Sequence, residues 1–272
     1  MDKQSEITKQ QKDEDKILVA RILDKLKFAQ SRNKLESTDF LDLRQQSIIR
    51  EMLELRRYDN YIFFGGYDDA ERNIVAFSSN LEYINQEEIN NLLSIIRITL
   101  PNNLQGQYEH RIYLGGLMKL GIKREKIGDI IVRNDGADII VKQDLAEYLK
   151  DNLKGLTRFQ KSNIEIHKID ELIYIKPKKE IIKINIPSMR LDCIVGELAR
   201  CSRNDANKIL EAERVFVNFK EEIRPSKNIV EGDYITIRGK GRFKINKILG
   251  TTKSGRISLE IEKDLSFLSK ME

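Results

Sequence analysis

The chain is short of the residues that staple or metallate small proteins. Its 272 residues include two cysteines, Cys193 and Cys201, and two histidines, His110 and His167. A tetrahedral zinc site takes four close ligands of these kinds, and no grouping in the sequence supplies them. Two thiols make no disulfide framework, so both cysteines are expected as helical core thiols in a reducing cytosol. Long apolar runs are also missing, and no stretch approaches the roughly 18–20 residues of a membrane-spanning helix. The opening "MDKQSEITKQQKDEDK" is polar and carries both signs of charge, so it lacks the apolar core of a secretory signal. No nucleophile elbow, phosphate-loop lysine motif or zinc signature occurs. These absences predict a soluble, cytoplasmic protein with no membrane partner, no metal and no cofactor.

Apolar residues make up 40% of the chain, enough for a packed interior, and the length suits about two domains. Lys and Arg number 48 against 43 acids, a net charge of +5. So mild an excess decides little, because phosphate binding follows local positive density.

Ile17, Leu18, Ile22 and Leu26 recur at helical spacing, and Ser37-Thr38-Asp39 reads as the cap of a second helix over Phe40 to Leu55. Two strand-like runs, Tyr61 to Phe64 and Ile74 to Phe77, follow, with the chain turned by Gly65-Gly66. From Ile95 the order is strand, helix, strand, strand, helix, strand, the split ferredoxin-like order. An Asn134-Asp135-Gly136 turn separates two "DIIV" cores and marks a hairpin. RNA-binding domains of this topology read bases through sheet aromatics. These paired strands carry Ile, Val and Asp, so a structural sheet is expected. Arg111, Lys119, Lys123, Arg124 and Lys126 form a second candidate RNA contact, diluted by Glu109 and Glu125. Gly115 and Gly116 cost the intervening helix about 1 kcal/mol each relative to Ala, so that helix should approach something closely, the sheet by preference.

Towards the carboxyl end the chain turns ion-rich around "KPKKE", a linker by composition. In "RLDCIVGELA", Leu191, Ile194, Val195 and Leu198 fall on one helical face. Ser202, with Asp205 three residues on, has the form of a capping box, so a second helix should start at Arg203 and bury Ala206, Ile209 and Leu210. Arg203, Asn204, Asn207 and Lys208 are then exposed near an amino-terminal helix end, where unpaired N–H groups and the dipole favour an anion. Arg200 belongs to the same joint. From Tyr234 to Leu259 there are seven cations, Arg238, Lys240, Arg242, Lys244, Lys247, Lys253 and Arg256, and no acid. The glycines of "RGKGRFK" let the backbone approach a ligand.

Two helices with a cationic joint, followed by a small sheet containing "EGDYITIRG", resemble the RNA-binding domain named after small-subunit ribosomal protein S-four. The matching residues are "RLD" (190–192), "SRNDANKIL" (202–210), "RVFVN" (214–218) and "GDYITIRG". Glu213 and Phe219 stand where that domain usually has glycine. By position, the resemblance implies RNA contacts at Arg190, Ser202, Arg203, Lys208, Asn218 and Lys220. The residue pattern adds Arg200, Asn207, Arg238, Lys240 and Arg242. Upstream, "FFGGYDDAERNIVAF" and "HRIYLGGLMKLGIKREKIGDIIV" resemble the YlmH family of bacterial proteins, which carry such a domain at the carboxyl end and are encoded among cell-division genes. An aromatic at Phe219 and the "RGxGR" turn suit that family.

The resemblance implies a non-catalytic protein that binds rRNA, and in one version tRNA, on large ribosomal subunits obstructed by peptidyl-tRNA. Two other readings stand beside it. One is a protein-interaction factor with cell-division partners and secondary RNA binding. The other is a pseudouridine synthase, whose signature also contains Arg-Leu-Asp but continues differently. The fold class expected is α+β, with a helical or α+β domain at 1–80, a ferredoxin-like domain at 81–170 and a linker at 171–187. An S-four-type domain of two helices and a small sheet at 188–248 and a hairpin tail at 249–272 complete the expectation.

Overall fold

In the computed structural model, which describes residues 3–32, 34–79, 85–174 and 179–264, the chain divides into two units, Met1–Tyr174 and Ile175–Glu272. The first unit opens with helix α1 (Lys3–Arg32), the short strand β1 (Glu36–Ser37) and helix α2 (Leu43–Leu55). Strands β2 (Tyr61–Phe64) and β3 (Ile74–Phe77) complete a sheet in the order β1-β3-β2. Ile22, Leu26 and Ala29 of α1 are buried against Ile49 and Leu53 of α2 and against Val75 and Phe77 of β3. The expected cap at Ser37-Thr38-Asp39 is not one. Ser37 pairs with Ala76, and the Thr38 hydroxyl accepts the Val75 N–H at 2.9 Å, so both serve the sheet. Asp42 caps α2 instead: its carboxylate accepts the Gln45 N–H at 2.8 Å, and the Gln45 side chain accepts the Asp42 N–H at 3.0 Å.

After α3 (Gln86–Asn90) come β4 (Leu93–Thr99), α4 (His110–Lys119), β5 (Ile127–Arg133), β6 (Gly136–Lys142), α5 (Ala146–Leu153) and β7 (Asn163–Lys168). The sheet order is β5-β6-β4-β7, antiparallel throughout, which is the split ferredoxin-like arrangement read from the alternation. The hairpin loop is Asn134-Asp135 alone, because Gly136 already pairs with Arg133 and Thr99. Gly136 is obligatory there: its φ is +154°, and an added Cβ would sit 1.8 Å from the Ile98 carbonyl oxygen. On one sheet face Ile96, Ile98, Ile139 and Val141 pack under Tyr113 and Leu117 of α4 and under Leu149 and Leu153 of α5. The close approach in α4 is made at Gly116, where an added Cβ would meet the Phe159 ring at 2.6 Å. The neighbour is therefore an aromatic after α5, not the sheet.

The opposite face of this sheet is partly roofed. Leu93, Ile95 and Ile140 are buried beneath Phe40, Ile74 and Ile169. Asp129 of β5 accepts the Tyr67 hydroxyl at 2.9 Å and the Glu71 N–H at 2.7 Å, while Arg72 donates to the carbonyls of Ile127 and Phe40. The segments expected at 1–80 and 81–170 thus share one apolar layer and one hydrogen-bond network within a single unit. The boundary expected at 80/81 lies outside the described residues.

The second unit contains β8 (Lys179–Ile186), α6 (Leu191–Ala199), α7 (Arg203–Glu211), β9 (Val215–Val217), β10 (Lys220–Glu221), β11 (Tyr234–Ile237), β12 (Gly241–Thr251) and β13 (Ile257–Asp264). They form one six-stranded sheet, β10-β9-β11-β12-β13-β8. Two expectations change. Residues 179–186, read as linker, are strand β8, which pairs along its length with β13. The tail hairpin is continuous with the domain, since β12 runs from the β11 hairpin straight into its pairing with β13. Val215, Ile235, Ile237, Ile245, Leu259 and Ile261 point to one side, where Leu191, Ile194 and Val195 of α6 and Ala206 and Leu210 of α7 cover them. Each of these Val, Leu and Ile side chains contributes roughly 1.5–3 kcal/mol by burial. Cys193 lies in α6, whereas Cys201 occupies the joint after it; both are half-buried against this core.

Candidate nucleic-acid interface

The α6–α7 joint is built around one buried carboxylate. Asp192, in the first turn of α6, has a side chain only 1% exposed. Arg190 donates to it through Nε at 3.1 Å and Nη2 at 2.9 Å, and Arg203 through Nε at 2.8 Å, with the Arg203 Nη2 at an ion-pair distance of 2.7 Å. The Cys193 N–H adds a further bond at 2.9 Å. Burial alone would raise the Asp192 pKa, but the hydrogen bonds from Arg190 and Arg203 outweigh it and hold the carboxyl at about 2. The two arginine side chains remain 40% and 60% exposed. Two cations share one anion, so the cluster keeps a net positive charge and presents it in a fixed geometry. Side-chain entropy that a free arginine would lose on binding a phosphate is already spent in folding.

Sequence reasoning placed the arginines here but missed the role of Asp192, which depends on residues 190, 192 and 203 meeting in space. Arg200 ends α6 in the left-handed region, at φ 55° and ψ 52°. Helices usually place glycine there, and non-glycine residues held so cluster at functional sites. The chain reverses at this point, and the Arg200 side chain is exposed beside the joint.

Ser202 caps α7 as expected, with its hydroxyl oxygen accepting the Asp205 N–H at 3.2 Å. The anion site expected at this helix end is filled from within. Asp205 also accepts the Ser202 hydroxyl at 2.7 Å and the Lys208 ammonium at 2.8 Å. Those bonds, Lys208 foremost, hold its carboxyl below the usual range. The box is consequently not reciprocal, and Lys208 arrives with its charge matched. Asn207 is half-buried on the same helix.

The β11–β12 turn, Arg238 to Lys240, adds cations from the sheet. Arg238 and Lys240 are exposed, and the Arg238 carbonyl accepts Nη2 of Arg214 at 3.1 Å. Burial foremost, and then Asp205, raise the pKa of the Cys201 thiol, and the Lys240 charge opposes them, so the charge of this turn is felt at the joint. Arg190, Arg200, Ser202, Arg203, Asn207, Lys208 and Lys240 are thereby grouped around α6 and α7.

Other expected residues lie elsewhere. Asn218 has its side chain engaged internally, donating to Asp233 at 2.8 Å and accepting the Tyr234 N–H at 2.9 Å. It shapes the β9–β10 turn and presents no free amide there. Lys220 and Arg242 are half-buried on β10 and β12, with the Arg242 guanidinium 5.4 Å from the Phe219 ring centre.

Most of the cations in the second candidate patch are paired or turned inward. Arg124 is turned inward onto the carbonyls of Ile127 and Gly128, and burial lowers its pKa to about 10. Lys126 pairs with Asp39 at 2.7 Å and Arg111 with Glu109 at 3.1 Å. Lys119 and Lys123 stay exposed. Among the described residues, no group of three or more His, Cys, Asp or Glu side chains could hold a metal ion. No helix among them is long and apolar enough to cross a membrane.

Comparison with known proteins places these features. Residues 86–171 match the family model described as "Putative RNA-binding domain in YlmH", the segment that folds as the ferredoxin-like sheet. The chain is 30% identical over 261 residues to the "Ribosome-associated protein quality control protein P2" of Bacillus subtilis, covering 95% of this chain and 99% of that one. A solved structure, "Cell division protein ylmH from Streptococcus pneumoniae", is similar over 59% of this chain and 95% of its own, with 20% identity and a TM-score of 0.47. With its ferredoxin-like module matched and almost the whole length of a curated relative aligned, the chain belongs to the YlmH family.

Proposed function

We propose that this protein binds RNA on the ribosome without altering it, engaging rRNA, and tRNA where one is retained, on large subunits in the quality control of stalled peptidyl-tRNA complexes. Its second unit is an S-four-type RNA-binding domain working in the cytoplasm. The observation that carries the reading is the Asp192 clamp: a buried carboxylate holds Arg190 and Arg203 in place while both arginine side chains stay partly exposed. Oriented arginines at one joint, joined by Arg200 and Lys240, suit the spaced phosphates of an RNA backbone. The name of the Bacillus subtilis relative supports the ribosome as the setting.

Asp192 also bears on the synthase reading. A catalytic aspartate must reach substrate in a cleft, and this one is buried, held by two arginines and placed within a helix. The ferredoxin-like sheet, for its part, does not offer an open aromatic face, since Phe40, Ile74 and Ile169 roof its apolar half. RNA contact by the first unit would come from its edges, loops or helices.

Co-sedimentation of the full chain with separated ribosomal subunits tests the proposal, set against a truncation lacking residues 175–272. Because β8 belongs to the second unit, the cut must fall before it. Loss of large-subunit binding on truncation is the expected result. Undiminished binding would transfer the function to the first unit and to protein partners.

A further inference from the structure

The face of the second unit's sheet that points away from α6 and α7 carries aromatic rings and cations together. Strand registers put Phe216 opposite Thr236, Thr236 opposite Arg242, and Tyr234 opposite Lys244, all on the side opposite the apolar core. Phe219, in the β9–β10 turn, lies 5.4 Å from the Tyr234 ring with the planes inclined by 32°. Each ring has a cation above it. Arg238 stands 4.9 Å from the Phe216 centre, Arg242 5.4 Å from Phe219, and Lys244 5.5 Å from Tyr234. The rings are half-buried, neither sealed in the core nor fully solvated.

Phe219 is also held against its own preference. Asn218 and Phe219 have φ of 48° and 66° and join Val217 to Lys220 in a two-residue hairpin. Such a turn needs positive φ at both positions and favours Asn-Gly. A bulky residue at the glycine position is an outlier, and backbone strain of this kind collects at ligand-contacting sites. Nothing in the hydrophobic core requires this ring, since the core lies on the other side of the sheet.

Building on the RNA-binding reading, we infer that Phe216, Phe219 and Tyr234, with Arg238, Arg242 and Lys244, form a stacking platform for unpaired bases of single-stranded RNA. It is a second surface, distinct from the backbone-holding joint. Base faces stack on aromatic rings and on guanidinium planes alike, and cations beside the rings meet the phosphates. Cation-over-ring pairs offer both elements at once, with a base entering beside the guanidinium or in its place. Helical RNA keeps its bases stacked on each other, so the platform selects single strands, loops and ends.

The test uses the full chain and two labelled oligonucleotides of about ten residues, an oligoadenylate and an abasic strand of equal length and charge. Fluorescence anisotropy should show the oligoadenylate bound about tenfold more tightly, as stacking of one or two bases provides. Phe219→Gly relieves the turn and so should leave the melting temperature unchanged or higher, yet cut that preference about fivefold or more. Tyr234→Leu should do the same. Arg203→Ala should weaken both strands and leave their ratio intact. Equal binding of the two strands by the unaltered protein, or a ratio that survives both ring substitutions, overturns the platform. If Arg203→Ala still weakens both strands in that case, the backbone-binding reading stands without it. If neither strand binds, the platform falls, and co-sedimentation with large subunits decides the backbone-binding reading by itself.

Discussion

Replacing Asp192 by asparagine keeps the side-chain volume and removes the charge that Arg190 and Arg203 share. Folding takes this carboxyl from an ordinary pKa of 3.8 to about 2. Each pKa unit corresponds to about 1.4 kcal/mol, so ionised Asp192 contributes roughly 2 kcal/mol to the second unit at neutral pH. The sign follows from the depression. The contribution is present in full above about pH 4, falls to roughly half by pH 3, and is lost as pH drops through the folded-state value near 2. Asp192→Asn should therefore destabilise the unit by about 2 kcal/mol at pH 7 and by only about 1 kcal/mol at pH 3. Urea titrations at several pH values, read by hydrogen exchange into peptides covering α6 and α7, follow this unit apart from the rest of the chain. A deficit that stays constant from pH 7 to pH 3 would mean that shape, not the arginine–carboxylate charge pairing, sets the contribution, and the clamp as described would be wrong.

Lys208→Ala should lower RNA affinity only slightly and flatten its salt dependence by well under one counterion, because Asp205 already matches that ammonium; a full-counterion drop in a salt titration would show that the pair opens on binding. Phe40, 1% exposed in the layer between the two sheets of the first unit, should cost about 3–5 kcal/mol when cut to alanine. Chemical denaturation checks this, and a cost under about 1 kcal/mol would mean that the layer is not structural. Gly136→Ala should destabilise the same unit by well over 1 kcal/mol, since φ and the Ile98 carbonyl both exclude a Cβ. A thermal shift near zero would contradict that geometry.

The ferredoxin-like sheet was legible because its strands alternate and its hairpin carries Asp-Gly, both local signals. Strand β8 was not, since "KEIIKINI" shares an ion-rich stretch with "KPKK" and only pairing with β13 makes its charged positions an edge. The cap of α2 was misplaced for a related reason: Thr38 offers a hydroxyl that reads as a cap but is used by β3. At the joint, sequence found the cations and the Ser202 cap. It could not see that Asp205 would fill the helix end, that Asp192 would gather arginines from positions 190 and 203, or that Arg124 would turn inward. Those outcomes depend on tertiary neighbours. Phe219 was noted for its place in the turn, but its grouping with Phe216 and Tyr234 escaped notice because alternation assigns a side chain to a face without saying what shares it.

The most direct measurement is the salt dependence of binding between the full chain and large ribosomal subunits, compared with an Arg190→Ala, Arg203→Ala double variant. If these guanidiniums engage phosphates, the slope of log affinity against log salt should fall by between about one and two units, at roughly 0.7–0.9 per phosphate neutralised. A double variant with weakened affinity but an unaltered slope would show that the joint does not hold an RNA backbone.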